Sequence, residues 1–489
     1  MELRDIFRNI SPIDHRYSLS EKPVFEAAAR WLSEEAAIAG CVRVEIALVS
    51  AHLSLRPEGG PDPALRSALE RAGAELTPEE VYEEEAKTRH NIRALVNVLK
   101  RRAPPETAPL VHLGATSADI LDSSLAFRMK GFCREAALPA LRRLEGLLCD
   151  MAEAEAETPQ AGRTHGQHAV PITLGFALAE YVSRLGKSIL EIERRAEDLR
   201  GKLAGAVGAY NASGLVVGDP EELERRCLAE LGLKASEHST QLVEPEYLLR
   251  LLLEYNTAFG IIANLADDLR HLQRTEIGEV REGFGEDQVG SSTMPQKRNP
   301  WNSEHVKSLW KAFMPRVITF FMDQVSEHQR DLSNSASQRF IADYTAGFCL
   351  AVNRMSAVME GLRVDRERCL ANLRGEAAAG DSVPGGIMAE PAYILLAQSG
   401  AADAHEEIRR ITLAAERGGL SFAAALAQRP DILGRIGAEL ARLNLVPPGE
   451  EPGGNAAAAL AWFEKPEGYR GLAAKKAAEL AAAYRALCT

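Results

Sequence analysis

The chain has 489 residues, 46% hydrophobic and 26% charged, the balance of a globular protein able to bury large cores. Its 57 basic and 69 acidic residues leave a formal net charge of -12, which excludes a generally basic nucleic-acid or anionic-membrane binder. An anionic substrate must then be met by a local basic pocket that works against the field of the whole chain.

Seven scattered cysteines, without C-x-x-C or a metal-type His/Cys spacing, read as reduced thiols of a cytoplasmic protein. No metal is expected. The first residues, MELRDIFRNISPIDHRY, lack an apolar signal core, and no run of about 18 apolar residues stands out. Neither secretion nor membrane insertion is expected.

Taken in chain order, the pattern is helical. Thr77-Pro78-Glu79-Glu80 is a helix start: Thr77 caps, Pro78 sits in the first turn and Glu80 closes a capping box. The helix it opens is expected to carry Ile92, Leu95, Val96 and Leu99 on one face. A break falls at Pro104-Pro105, and an apolar stripe follows over Leu138–Met151. Leu178, Val182, Leu185, Ile189, Ile192, Ala196, Leu199 and Leu203 recur in steps of four and three. That period, near 3.5 residues and held for about seven turns, marks a long helix in a bundle seam.

Gly214–Gly218 reads as a short extended piece. Tyr247–Ile262 is apolar almost all round, so it needs cover on several sides, and this predicts an oligomer. Further stripes run through Val306–Val325 and Tyr344–Leu362; breaks follow at Val364-Asp365 and Gly380–Gly386, and Pro447–Gly454 marks a late loop. Aromatics make up only 6%, which favours helix on helix over a sandwich. The expectation is an all-α chain: an N-terminal helical domain over 1–112, a central long-helix bundle over 113–364, and a C-terminal helical domain over 365–489.

Four polar clusters interrupt the helices. Gly290-Ser291-Ser292-Thr293-Met294-Pro295-Gln296-Lys297-Arg298-Asn299-Pro300 cannot continue a helix. Such a loop is ordinarily a surface turn, but its amides, an ammonium and a carboxamide can also close on an anion. Gly162-Arg163-Thr164-His165-Gly166-Gln167-His168-Ala169 is read as a helical segment. Its His pair suits a core or a metal, and metal is disfavoured because no carboxylate or cysteine sits at a matching spacing. His112-Leu113-Gly114-Ala115-Thr116-Ser117-Ala118-Asp119 is at least a helix cap. Arg330–Arg339, two arginines with hydroxyls between, is either a solvated helix start or an anion grip.

These strings resemble a known family. GSSTMPQKRNP is similar to the signature of the fumarase/aspartase superfamily, whose members eliminate fumarate or a close analogue. The segments GRTHGQHA, Thr88-Arg89-His90-Asn91, the Thr116-Ser117 turn and Arg330–Arg339 resemble the adenylosuccinate lyases. So does Ser11-Pro12-Ile13-Asp14-His15-Arg16-Tyr17-Ser18. The likeness extends through Gly386–Met388, Ala404–Glu406 and Gly468–Gly471, nearly the whole chain.

The resemblance implies the superfamily's three-domain fold, with central helices that join a larger bundle in a homotetramer. It also implies cytoplasmic cleavage of adenylosuccinate to AMP and fumarate, and of the succinyl-carboxamide intermediate (SAICAR) to AICAR, in purine biosynthesis. It makes Ser291 the base and His165 the acid that protonates the departing purine nitrogen. Lys297 and Asn299, with Ser292 and Met294 of the same loop, contact the fumaryl portion. Thr116 and Ser117 bind a succinyl carboxylate, and Arg89, His90, Asn91, His112, Thr164 and Gln241 line the substrate. Gln167 helps to position it, with His168 as support. Arg16, Tyr17, Arg330, Ser335 and Arg339 hold the nucleotide phosphate. Each site is shared between three subunits, and no cofactor is implied.

Three departures from the family pattern stand out. Its T-R-H-D has Asn91 in place of Asp, the Arg-Asp expected after Gln241 is absent from Leu242-Val243-Glu244-Pro245-Glu246, and Gln296 is not the common residue. The rivals are a sister lyase and a catalytically silent structural relative. 3-Carboxy-cis,cis-muconate cycloisomerase shares T-M-P-x-K-R-N-P without needing a phosphate grip. Argininosuccinate lyase shares M-P-Q-K-x-N-P, but its other motifs differ. Silence is disfavoured by the joint presence of Ser291, His165 and Lys297.

Overall fold

The computed structural model describes residues 5–56, 63–331, 333–376, 383–447 and 454–488. Leu332, residues 380–382 of the Gly380–Gly386 break and most of the Pro447–Gly454 loop lie outside them. The described residues fall into two compact units. One lies within Met1–Arg142, Lys187–Ala263 and Val306–Arg354; the other lies within Arg143–Gly186, Asn264–His305 and Met355–Thr489.

The helices of the first segment are α1 (Lys22–Leu32), α2 (Glu34–Ser54), α3 (Pro63–Ala74), α4 (Pro78–Thr88), α5 (Asn91–Arg102) and α6 (Ser117–Phe132). The helix start at Thr77 is as expected: Glu80 N–H donates to Thr77 Oγ1 and Thr77 N–H to Glu80 Oε2. The single helix expected after it is two. Arg89 takes a left-handed φ of 56°, which ends α4, and His90 caps α5. Ile92, Leu95, Val96 and Leu99 are all buried on α5. Part of Lys22–Ser54 is apolar and long enough by composition to cross a membrane, contrary to the expectation, yet 72% of that stretch is buried in the fold. It reads as a core helix.

Next come α7 (Leu138–Ala154), the hairpin β1 (Pro159–Thr164) and β2 (Gln167–Thr173), α8 (Leu174–Glu197), α9 (Pro220–Glu230) and α10 (Glu246–Leu272). The stripe from Leu178 to Ala196 lies on α8; Leu199 and Leu203 follow its end but are also buried. Gly214–Gly218 is not extended. A 3₁₀ turn covers Ser213–Leu215, and Leu215 is 91% exposed. The apolar α10 is largely covered by the chain itself, with Leu251, Leu252, Tyr255, Phe259 and Ile262 buried.

The chain continues with α11 (Trp301–Phe313), α12 (Arg316–Met322), α13 (Ile341–Gly361) and α14 (Arg366–Arg374). The stripe expected over Val306–Val325 is interrupted at Met314-Pro315. Beyond the break, Ile318, Phe321, Met322 and Val325 stand 51–74% exposed. A C-terminal cluster of helices, α15 (Ala389–Gln398), α16 (Ala404–Gly418), α17 (Phe422–Ala427), α18 (Pro430–Arg442) and α19 (Gly454–Phe463), packs around Leu396, Ile411, Phe422, Ile436 and Phe463. The last helix is α20 (Ala473–Arg485). Strand content among the described residues is the β1–β2 hairpin and two-residue pairings such as Val280-Arg281 with Val364-Arg363.

Candidate active site

The first unit carries Arg16, Tyr17, Arg89, His90, Asn91, His112, Thr116, Ser117, Gln241, Arg330, Ser335 and Arg339. The turn before α6 organises several of them. Asp119, in the first turn of α6, accepts the Thr116 N–H at Oδ2 (2.8 Å), which presents Thr116 and Ser117 at the helix N-terminus. Donors gathered at such an end favour an anion.

His90 Nδ1 accepts the Arg93 N–H at 3.2 Å, so its proton resides on Nε2, which faces Ser117 Oγ at 3.4 Å. The tautomer is thus set by helix capping. Asn91 plays no part in it, since its Oδ1 accepts the Ile92 N–H. His112 is gripped by the fully buried Glu45, which accepts its backbone N–H and faces Nδ1.

Gln241 is fixed through its backbone, its N–H donating to Gln329 O. Arg330 folds back so that Nε donates to Asp331 O, leaving the rest of its guanidinium fork unspent among the described bonds. The run read as either a helix start or an anion grip is a turn leading to a 3₁₀ segment, Ser337–Phe340, and then α13. Ser335, Arg339 and Arg16 are exposed. Tyr17 lies in a π-turn over Ile13–Tyr17 with Arg16.

The second unit carries Thr164, His165, Ser291, Ser292, Met294, Lys297 and Asn299. The GRTHGQHA segment is a hairpin, not a helix. His165 (φ 54°) and Gly166 (φ 75°) form the two-residue turn between β1 and β2, both in the left-handed region that such turns demand. His165 therefore stands exposed at a tip, with Thr164 paired to Gln167 and Arg163 to His168. The base of the hairpin is rigid. Arg163 donates from Nη1 (3.2 Å) and Nη2 (2.6 Å) to the fully buried Glu279, which also accepts from Gln160 Nε2 and Asn372 Nδ2.

The Gly290–Pro300 loop is irregular and exposed. Ser291 Oγ accepts the N–H groups of Met294 (3.1 Å) and Thr293 (3.4 Å). Asn299 Nδ2 donates to Gly290 O and ties the loop ends together (3.1 Å). Ser292, Met294 and Lys297 face solvent. Ser291 and His165 are not hydrogen-bonded to each other. A cavity of about 920 Å³ on the loop's flank includes Pro295, Arg298 and Asn299 in its wall. Among the described residues, no group of three or more His, Cys, Asp and Glu is placed to hold a metal.

Non-glycine residues with positive φ among the described residues are Arg89, His112, His165, Tyr210, His328 and Asn444. Half of these are candidate site residues, and strained backbone is typically kept where function holds it. Sequence reasoning missed the buried charges that brace these positions: Glu45, Glu279, and the Lys202–Asp119 ion pair, both members fully buried. Lys202 also donates to Gly205 O, and Asp119 accepts the Gly205 N–H, so the pair locks the Thr116 turn to the 202–205 segment. The available signal was a lone Glu within Val42–Val49, an otherwise apolar stretch of α2 apart from Arg43.

Comparison with known proteins identifies the family. A family model described as "Lyase" matches residues 67–312, and one described as "Adenylosuccinate lyase C-terminal" matches residues 326–445. The adenylosuccinate lyase of Pyrococcus abyssi is 34% identical over 417 residues, covering 84% of this chain and 88% of its own. That of Aquifex aeolicus is 32% identical over 72% of this chain and 78% of its own. The 3-carboxy-cis,cis-muconate lactonizing enzyme of Pseudomonas putida superposes with a TM-score of 0.78 at 24% identity, over 95% of this chain and 98% of its own, a likeness of fold. The chain belongs to the adenylosuccinate lyase family.

Proposed function

We propose that this chain is a fumarate-releasing carbon–nitrogen lyase of purine biosynthesis. It cleaves adenylosuccinate to AMP and fumarate, and by the same chemistry the succinyl-carboxamide SAICAR to AICAR. The observation that carries the reading is the pair of amides aimed at Ser291 Oγ from Thr293 and Met294. A serine is a weak base unless its alkoxide is stabilised, and two converging N–H groups supply that stabilisation.

In this reading Ser291 removes a proton from the carbon beside a succinyl carboxylate. The negative charge that develops on that carboxylate meets Lys297 and Asn299, with Ser292 and Met294 completing the loop. The carbon–nitrogen bond then breaks, and His165, exposed on its braced hairpin, gives a proton to the departing purine nitrogen. Thr164 and Gln241 position the base; Thr116 and Ser117 offer a helix N-terminus to the second carboxylate. Arg89, His90, Asn91 and His112 line the same region, and Arg16, Tyr17, Arg330, Ser335 and Arg339 take the phosphate.

The active form is a cytoplasmic homotetramer whose sites draw residues from three subunits. Its support is the exposed apolar run of Ile318, Phe321, Met322 and Val325, an arrangement that suits burial against another copy. Incubation of purified protein with adenylosuccinate tests the function. Equimolar AMP and fumarate are expected; unchanged adenylosuccinate would refute it.

A further inference from the structure

Within the first unit, away from every residue assigned above, lies a cavity of about 590 Å³ between α1, α2, α3 and α6. That volume is typical of sites for small molecules, roughly 300–1,000 Å³. Its wall carries four arginines, Arg30, Arg43, Arg66 and Arg128, against two glutamates, Glu70 and Glu230. Both glutamates are already engaged by Arg66, at 3.0 Å each. Arg30 reaches Glu135 at 3.8 Å. Arg43 and Arg128 face no carboxylate within ion-pair distance among the described residues. In a chain of net charge -12, two such guanidinium groups in one cavity make a local positive site.

Arg128 is the sharper anomaly. It is largely withdrawn from solvent, and burial lowers its pKa. Its Nη1 donates to Trp31 O at 3.2 Å, but its Nε is buried with no hydrogen-bond partner among the described residues. The neighbouring Cys41 supplies no counter-charge, because burial pushes its thiol up to about 11. A buried, half-satisfied guanidinium costs stability unless an anion completes it. Beside it are two aromatic rings. Trp31 and Phe127 meet edge to face at 5.7 Å, and Arg43 stands over Phe127 with its Cζ 5.5 Å from the ring centre. Gly131 allows the indole to lie against α6, since a methyl there would collide with the ring. Gly40 similarly brings α2 close to Arg128, with a methyl there 3.0 Å from its Cδ.

We propose that this cavity is a second ligand site that takes a nucleoside phosphate. Arg43 and Arg128 receive the phosphate oxygens, to which a guanidinium fork is matched. The purine or pyrimidine ring packs against Trp31 and Phe127. The assignment does not rest on the catalytic reading, because none of these residues belongs to it.

Equilibrium dialysis of the full chain against labelled ADP, with and without saturating AMP plus fumarate, tests the proposal. One ADP per chain is expected to remain bound when the products are present. Arg43→Ala and Arg128→Met should each weaken it at least tenfold while kcat and KM for adenylosuccinate stay within twofold. Arg128→Met is also expected to leave the ligand-free Tm unchanged or raised, so that loss of binding is not loss of fold. Absence of ADP binding with the products present, or unaltered binding in both variants, would overturn the proposal. So would pyrophosphate binding as tightly as ADP, which would mean that the rings contribute nothing.

Discussion

Glu45 holds His112 at two points: Oε2 accepts its backbone N–H at 2.9 Å, and Oε1 lies 2.7 Å from its Nδ1. The carboxylate requires a proton on Nδ1, which leaves Nε2 as the ring's acceptor, and it also stabilises the left-handed backbone of His112 (φ 63°). Replacement of Glu45 by Gln is expected to lower kcat/KM for adenylosuccinate by roughly 10- to 100-fold, in line with about 1.5–3 kcal/mol for a hydrogen bond to a charged group. Steady-state kinetics check this; wild-type values in Glu45→Gln would show that His112 needs no such brace.

The brace of the His165 hairpin should be visible in stability as well as rate. Arg163, whose side chain is 17% exposed, shares the fully buried Glu279 through two hydrogen bonds. Glu279→Gln keeps the shape but leaves the guanidinium without its charge partner. Breaking a buried pair in this way costs about 3–5 kcal/mol. A clear fall in Tm, with a fall in kcat, is expected by differential scanning calorimetry and assay. A Tm within about a degree of wild type would mean the pair is dispensable.

Much of this was legible in the sequence, where local chemistry decides structure. Thr77 and Glu80 announced a capping box, and the stripe from Leu178 to Ala196 announced a long helix. Polar strings marked the loop around Ser291 and the turn at Thr116. In the His165 segment the histidine spacing suggests a helix and masks the hairpin. The strand signal lay just beyond, in Val170, Ile172 and Thr173, with Gly166 supplying a left-handed turn position. The split of one expected helix at Arg89 was hidden for a similar reason: no Gly or Pro marks it. Glu45 with His112, Lys202 with Asp119 and Glu279 with Arg163 were out of reach, since each joins residues far apart in the chain and no local period links them.

Glu145 gives the protein a pH-dependent weakness. It is fully buried on α7, neither carboxyl oxygen has a hydrogen-bond partner among the described residues, and burial raises its pKa from 4.5 to about 8. The folded state therefore keeps it neutral while the unfolded chain ionises. The stability that follows is fully present below about pH 4.5 and is lost as pH rises toward 8, on the order of 5 kcal/mol in all. Glu145→Gln should match the wild type near pH 4.5 and exceed it in Tm at pH 8.5. Parallel pH–Tm curves for the two proteins would contradict this.

Shared sites make a separate prediction. His165→Gln and Ser291→Ala should each lose at least about a thousandfold in kcat while still binding adenylosuccinate, as expected when one member of an acid–base pair is removed. If residues of different subunits complete each site, mixing the two inactive proteins under conditions of subunit exchange restores part of the activity. No recovery, with exchange verified by mass, would mean that each chain builds its site alone.

Elimination of fumarate from a succinyl-purine nucleotide by the Ser291 loop is tested by product analysis of the purified protein on adenylosuccinate and on carboxymuconate, side by side. The predicted result is AMP and fumarate in equal amounts from the first and no lactone from the second. Lactone from carboxymuconate with adenylosuccinate left intact would contradict it.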